Sequence, residues 1–163
     1  MSISVEPLAP AHFEQLHCLF DAVSREERFL AFCSSGSRET TYAYYQRVVD
    51  SNHSHFVAVE NGTVIGWCDV FPLPGEMRAH CGVLGIGVAK AFRGKGVGRT
   101  LIEAAIEKAR NRGITRIELT VRADNLTARN LYEKLGFLVE GLQRNGWRLH
   151  GQYFDVHHMA LIW

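Results

Sequence analysis

Val88-Ala-Lys-Ala-Phe-Arg-Gly-Lys-Gly-Val-Gly-Arg-Thr100 is the stretch on which the reading of this chain turns. It follows a run rich in Val, Ile and Gly, His80 to Val88, which reads as a strand. It precedes Leu101, Ile102, Ala105, Ile106 and Ala109, whose spacing predicts a helix over residues 98–112 that Gly113 caps. In between, glycine alternates at Gly94, Gly96 and Gly98, beside the cations Arg93, Lys95 and Arg99. Glycine admits positive φ and lets the backbone approach a ligand closely. The start of the helix adds N–H groups without partners and the positive end of a dipole. A strand, a glycine turn and a helix in this order are suited to bind phosphate.

Spacing narrows the choice of ligand. A P-loop needs Gly-x-x-x-x-Gly-Lys followed by Ser or Thr. Here Gly94-Lys95 is followed by Gly96, and the position five before Gly94 is Ala89. A dinucleotide fingerprint, Gly-x-Gly-x-x-Gly, requires glycine at position 99 or 101, which hold Arg99 and Leu101. Both nucleotide readings fail.

Outward from the loop, the chain alternates strands and helices. Ile3 and Val5 open a short strand that Pro7 and Pro10 close. Phe13, Leu16, Leu19, Phe20 and Val23 predict an amphipathic helix over 11–23, and a second is expected over 39–51. Phe56–Val59, then Asn61-Gly62, then Thr63–Ile65 is a hairpin signal, because Asn-Gly supplies the positive φ values of a type I′ turn. Residues 114–121 alternate as a strand, 126–135 read as a helix ended by Gly136, and two last strands surround the Asn145-Gly146 turn and Gly151. The order β-α-α-β-β-β-α-β-α-β-β predicts an α/β domain with a mixed sheet, a parallel crossover near residues 80–121 lying beside antiparallel hairpins.

The chain has 163 residues, a length that fits a single domain over 1–163. Hydrophobic residues make up 47% and charged residues 21%, which excludes a wholly disordered chain. Lys plus Arg number 18 and Asp plus Glu 17, so the net charge of +1 argues against nucleic acid or an anionic membrane as partner. No apolar run approaches the ~20 residues of a membrane span, and the first residues lack the pattern of a secretion signal. Cys18, Cys33, Cys68 and Cys81 form no Cys-x-x-Cys pair and are expected to be buried free thiols of a cytoplasmic protein. His157 and His158 fall on opposite faces of a strand, so no metal site is expected.

With nucleotide loops excluded, what remains is Arg93-x-x-Gly96-x-Gly98 after a Val-containing strand. This resembles the acetyl-CoA loop of the GNAT superfamily of N-acetyltransferases. A second segment stands at the spacing that family uses: Asn125-Leu-Thr-Ala128-Arg-Asn-Leu131-Tyr132-Glu-Lys-Leu-Gly136-Phe137 is similar to its Asn-x-x-Ala-x-x-Leu-Tyr-x-x-x-Gly-Phe. The tail from Glu140 to Met159 resembles the branches that act on free amino acids or on protein N-termini. The resemblance implies a mostly antiparallel sheet, splayed in the middle and flanked by about four helices. It also implies acetyl-CoA as acyl donor, no metal, a small-molecule amine acceptor, and admits a homodimer.

Residue by residue, the resemblance implies that backbone groups of Ile86, Gly87 and Val88 pair with the pantetheine arm. Amides of Arg93, Gly94, Lys95, Gly96, Val97 and Gly98 would hold the pyrophosphate, with Arg99 and Thr100 at the helix start. The side chains of Arg93 and Lys95 read equally as ligand contacts or as solvated charges. Asn125 matches a pantetheine-contacting position and is also a favourable helix N-cap; Ala128 and Asn130 accompany it. Tyr132 matches the general acid beside the departing sulfur, a role a phenol of pKa near 10 can fill. Relatives place a carboxylate near Val83–Leu84 as base, and this chain has none there. His80 is the best substitute, Glu118 a second, either also reads as a surface residue, and a water chain is equally compatible with the sequence. Arg25, Phe29 and Tyr42 are candidate acceptor-lining residues, Arg25 or Arg28 by pairing with a carboxylate. The implied activity is acetyl transfer to the primary amine of an amino acid or similar metabolite. Acetylation of protein N-termini, and a CoA-binding module without catalysis, are the alternatives.

Overall fold

Apolar residues along Thr63–Pro72 and Cys81–Val88 build the middle of a seven-stranded sheet in a computed structural model that describes residues 2–163. In chain order the elements are β1 (Ile3–Pro7), α1 (Phe13–Arg25), α2 (Arg38–Asp50), β2 (Ser54–Glu60), β3 (Thr63–Pro72), β4 (Cys81–Val88), α3 (Val97–Asn111), β5 (Arg116–Arg122), α4 (Leu126–Lys134), β6 (Leu138–Leu149) and β7 (Gln152–Ile162). This is the order expected from the sequence, with boundaries displaced by a few residues. The spatial order is β1-β2-β3-β4-β5-β7-β6, antiparallel everywhere except between β4 and β5. Among the described residues, no helix is long and apolar enough to cross a membrane.

Alternation along the strands divides the core in two. Cys68, Val70 and Leu84 face α3 and α4, where Leu101, Ile102, Ile117, Phe137 and Met159 are almost wholly buried. Val57, Val64 and Trp67 face α1 and α2, meeting Leu16, Val23, Tyr45 and Val48. Each large aliphatic side chain so enclosed contributes roughly 1.5–3 kcal/mol.

The feature that positions everything else is a failure of pairing. The parallel ladder joins Cys81 to Arg116, Gly82 to Ile117 and Val83 to Glu118, and stops there. Beyond Val83, β4 stays paired with β3 as far as Val88, while β5 follows β7, pairing through Arg122–Val156. The two parallel strands therefore part, and among the described residues the β5-facing edge of residues 84–88 has no strand partner.

Three expectations need correction. Asn145-Gly146 does not separate the last two strands. It lies inside β6, where the register with β7 shifts between Gln143 and Trp147, and the turn proper is His150-Gly151. Asn145 takes the positive φ (+52°) that a turn would need, but a bulge uses the same conformation, and the Asp155 carboxylate accepts from its amide at 2.9 Å. His80 stands in the turn before β4 rather than in the strand. Cys18, on the outer face of α1, and Cys33, in the loop after it, are exposed; only Cys68 and Cys81 are buried, and all four are free.

Close approach across β3 and β4 depends on glycine. A Cβ at Gly87 would fall within the Trp67 ring, and one at Gly85 would come within 2.9 Å of the Asp69 carboxylate. Gly87→Ala is accordingly expected to destabilise the fold by about 1–3 kcal/mol, the usual cost of overpacking. Gly141→Ala, with open space around it, serves as control, and urea denaturation midpoints report the difference.

Candidate active site

At the mouth of the split between β4 and β5, the chain turns into α3 through the glycine loop. Gly94 and Gly96 take φ of +73° and +85°, and Gly96 is the N-cap of α3. Among the described residues, no acceptor takes the N–H groups of residues 94–99. The space that a Cβ of Gly94 or Gly96 would enter is open. Six amides thus line a concave turn at the positive end of a fifteen-residue helix. The Gly98 Cα hydrogens point at Ile86 and Leu131, whose side chains lie 3.6 and 3.7 Å from a Cβ position, so α3 sits close on β4 and α4.

The loop's cations are used unequally. Lys95 lies with its ammonium 5.4 Å from the centre of the Phe92 ring, and Arg99 pairs with Glu103 at 2.9 Å. Arg93 turns inward. Its Nε donates to the Val88 carbonyl at 2.9 Å, its two terminal nitrogens donate to Glu26 at 2.8 and 2.7 Å, and its guanidinium lies 4.5 Å from the centre of the Phe29 ring. The Arg93 guanidinium holds the Glu26 carboxyl below its usual range. The side chain therefore ties the loop to the segment after α1, while the loop amides remain open. Thr100 is bound locally, its hydroxyl donating to the Gly96 carbonyl at 3.2 Å.

On the α3/α4 face, Asn125 caps α4, its Oδ1 accepting from the Ala128 amide at 3.2 Å. Ala128 packs on the core, and Asn130 is exposed. Tyr132 is buried beside Cys68, whose strand partner is Ile86 on β4, and its ring tilts against Phe137. Burial pushes the Tyr132 phenol above its ordinary pKa, so the hydroxyl keeps its proton at neutral pH. The glycine loop, through Gly98 and Ile86, and Tyr132, through Cys68, therefore lie by the unpaired part of β4, and Asn125 stands at the start of the helix that carries Tyr132.

Sequence reasoning missed what lies on the other face. Asp69 is buried on β3 directly opposite Gly85, and Oδ1 reaches over that glycine. Burial pushes its carboxyl up to about 8, a hydrogen bond from its own backbone amide only partly opposing this. The available signal was a carboxylate inside the apolar run Thr63–Pro72, where every residue from Val64 to Val70 is buried.

Other expected residues are placed as follows. His80 lies at the paired end of β4, five residues from Gly85, hence roughly 16 Å along an extended strand; its Nε2 is 3.3 Å from the Cys81 sulfur. Glu118, on the same face as Asp69, accepts from Arg116 at 3.2 Å. Phe29 lies under Arg93, at the cleft, whereas Tyr42 packs against Phe13 and His17 in the α1–α2 interface. Arg25 is held by Asp21 at 2.7 Å. His157 meets Arg129 of α4 and His158 meets Gln143 of β6, on opposite faces as expected.

A ligand matching these features carries a diphosphate for the six amides and an extended arm with amide groups for the strand edge. Coenzyme A has both, and the residues present fit it.

Comparison with known proteins points the same way. The sequence profile described as "Acetyltransferase (GNAT) family" matches residues 17–137. The N-alpha-acetyltransferase RimI of Mycobacterium tuberculosis is 35% identical over 114 residues, 67% of this chain and 68% of that protein. The L-amino acid N-acetyltransferase AaaT of Escherichia coli is 34% identical over 107 residues, 65% of this chain and 66% of that protein. Among solved structures, a GNAT-family acetyltransferase from Streptococcus pneumoniae superposes with a TM-score of 0.92 at 27% identity, covering 99% of this chain and all of the other. An acetyltransferase from Salmonella typhimurium, solved with acetyl-CoA, shares the fold at a TM-score of 0.93 and 19% identity, with 99% and 94% covered. The half-paired β4, the open amide cradle and the buried Tyr132 are thus features of a chain that belongs to the GNAT family of acetyltransferases.

Proposed function

We propose that this protein transfers the acetyl group of acetyl-CoA to the primary amine of a small molecule, an amino acid or a similar metabolite. The observation that carries the reading is the meeting of six unpaired amides, a free strand edge and a protonated, buried phenol at one split in the sheet. When bound, acetyl-CoA supplies an acetyl group activated as a thioester. The amides of residues 94–99 hold the diphosphate, and the edge of Ile86, Gly87 and Val88 aligns the pantetheine arm as an added strand. Asn125 stays at the α4 cap and presents its remaining polar group toward the arm. Tyr132 donates its proton to the departing sulfur, for which a phenol kept neutral by burial is suited.

Support for a small acceptor comes from a contact between two loops. His150, in the β6–β7 turn, and Glu27, after α1, meet at 2.8 Å. Next to Glu27, Glu26 is tied to Arg93 and Phe29 lies beneath it. The acceptor side is thereby spanned from two directions, which favours a compact amine with its carboxylate near Arg25 or Arg28. A second reading, acetylation of a protein N-terminus, is favoured by the 35% identity to the enzyme named N-alpha-acetyltransferase RimI. Acetyl-CoA-dependent thiol release, measured over free amino acids, N-terminal peptides, polyamines and aminoglycosides, separates the two. Turnover of free amino acids is the expected result.

Tyr132→Phe removes the hydroxyl and keeps the packed ring. The expected outcome is a kcat about 100-fold lower or less, with acetyl-CoA affinity little changed by calorimetry. Gly96→Ala places a side chain at a left-handed φ, strained by roughly 1–2 kcal/mol, inside the cradle. It is expected to raise the KM for acetyl-CoA about tenfold or more while changing kcat less, in steady-state kinetics.

A further inference from the structure

The acetyl-transfer reading requires a group that removes a proton from the attacking amine, and β4 carries no carboxylate. The geometry points to Asp69 of β3 as that general base, reaching over Gly85 to the split between β4 and β5. The inference rests on the acetyl-transfer reading and adds the residue it lacks.

Three observations carry it. First, Asp69 pairs with Gly85, two residues beyond the last β4–β5 pair at Val83. Gly85 has no side chain, so the Asp69 carboxylate covers the β4 backbone where the strand edge becomes free. Second, Asp69 and Tyr132 approach β4 from opposite faces. Asp69 lies on the α1/α2 face with Trp67, and Tyr132 lies on the α3/α4 face beside Cys68. A group held in the split has a base on one side and an acid on the other. Third, Asp69 is buried and, among the described residues, forms no ion pair; the one donor to its carboxyl is its own backbone amide, and Arg47, the cation that acts on its neighbour Tyr44, lies against that tyrosine's ring. The titratable groups facing it are His55, its strand partner on β2, and Tyr44 and Tyr45 of α2; Cys68 adjoins it in sequence. Both ring nitrogens of His55 and the Tyr44 hydroxyl are buried without a hydrogen-bond partner. A structural carboxylate buried at this depth would be paired with a cation or a set of donors.

Desolvation sets the protonation. Burial raises the Asp69 carboxyl from 3.8 to about 8, lowers His55 to about 3 so that its ring is neutral, and raises both tyrosines, which stay neutral too. The carboxyl is therefore protonated below about pH 8 and free to accept a proton above it. As the C–N bond forms and the C–S bond breaks, Asp69 takes one proton from the nitrogen and Tyr132 gives one to the sulfur. Asp69 then returns its proton to solvent and Tyr132 regains one, so the cycle balances.

The test compares wild type with Asp69→Asn, using the best acceptor from the panel above. Expected for the variant is a kcat lower by roughly 100-fold or more, with acetyl-CoA affinity by calorimetry within about threefold. In wild type, kcat/KM falls on the acid side of about pH 8. That limb is expected to stay in place when the acceptor is exchanged for an amine of different pKa, and to vanish in Asp69→Asn. Equal kcat and an unchanged pH profile in the variant overturn the role of Asp69 while leaving acetyl transfer intact. A wild-type protein that does not bind acetyl-CoA overturns both. Should Asp69→Asn not fold, carbon-13 NMR of wild-type Asp69 decides: titration near 8 that responds to CoA supports the proposal, and titration near 4 overturns it.

Discussion

The structure depends on a strand that is paired on both edges for part of its length and on one edge for the rest. A β-strand edge without a partner exposes donors and acceptors, which is a liability unless something covers them. In β4 the exposed part begins after Val83 and ends at Val88, where the chain enters the glycine loop. Sheet edge and helix start then present unsatisfied backbone groups side by side: alternating donors and acceptors from the strand, donors alone from residues 94–99. An extended polar arm ending in phosphate satisfies both at once. Neither set could be removed by side-chain substitution alone, because both belong to the backbone.

Burial acts in the same direction on the two ionisable groups that flank this edge, and with opposite chemical effect. Removing water penalises the charged form, so the Tyr132 phenol and the Asp69 carboxyl both rise. For the phenol, which is neutral at physiological pH anyway, the rise only secures its proton. For the carboxyl it moves a group ordinarily ionised into the range where it exchanges protons. The sign for stability follows. Between about 4 and 8 the folded chain holds a proton on Asp69 that the unfolded chain has lost, so this group favours folding at low pH and progressively opposes it as pH rises toward 8. Such a residue in an apolar strand costs stability under the conditions in which it is ionised, a pattern typical of functional positions.

The element order, the hairpin at Asn61-Gly62 and the glycine turn into α3 were legible because each rests on local chemistry. Asn61 and Gly62 do take φ of +49° and +77°, and Gly96 marks the start of α3. Tyr132 was singled out only together with Asn125 and Gly136, through resemblance. Features set by register were not. That Asp69 faces Gly85 depends on how β3 aligns with β4, and the same alignment leaves His80 at the far end of the strand. Asn145-Gly146 misled because bulge and turn demand the same backbone conformation, and only pairing with Phe154 and Val156 on β7 tells them apart. The cysteines misled for another reason: buried is the commonest state of free cysteine, and that prior outweighed the stripe of Phe13, Leu16, Leu19, Phe20 and Val23, which leaves Cys18 on the outer side of α1.

Arg93 shows how one residue can belong to two parts of the site. Its place in the glycine motif suggested a phosphate contact, yet its guanidinium is saturated by Glu26 and the Val88 carbonyl and covered by Phe29. Exposed ion pairs contribute about 0–1 kcal/mol. This one is bidentate, stacked on an aromatic ring and joined to backbone, the geometry in which such a pair holds two segments in register. It fixes the segment after α1 against the end of β4, and through Glu27 that segment reaches His150 in the β6–β7 turn. The guanidinium thus ties the glycine loop to the segment after α1 and, through that segment, to the β6–β7 turn.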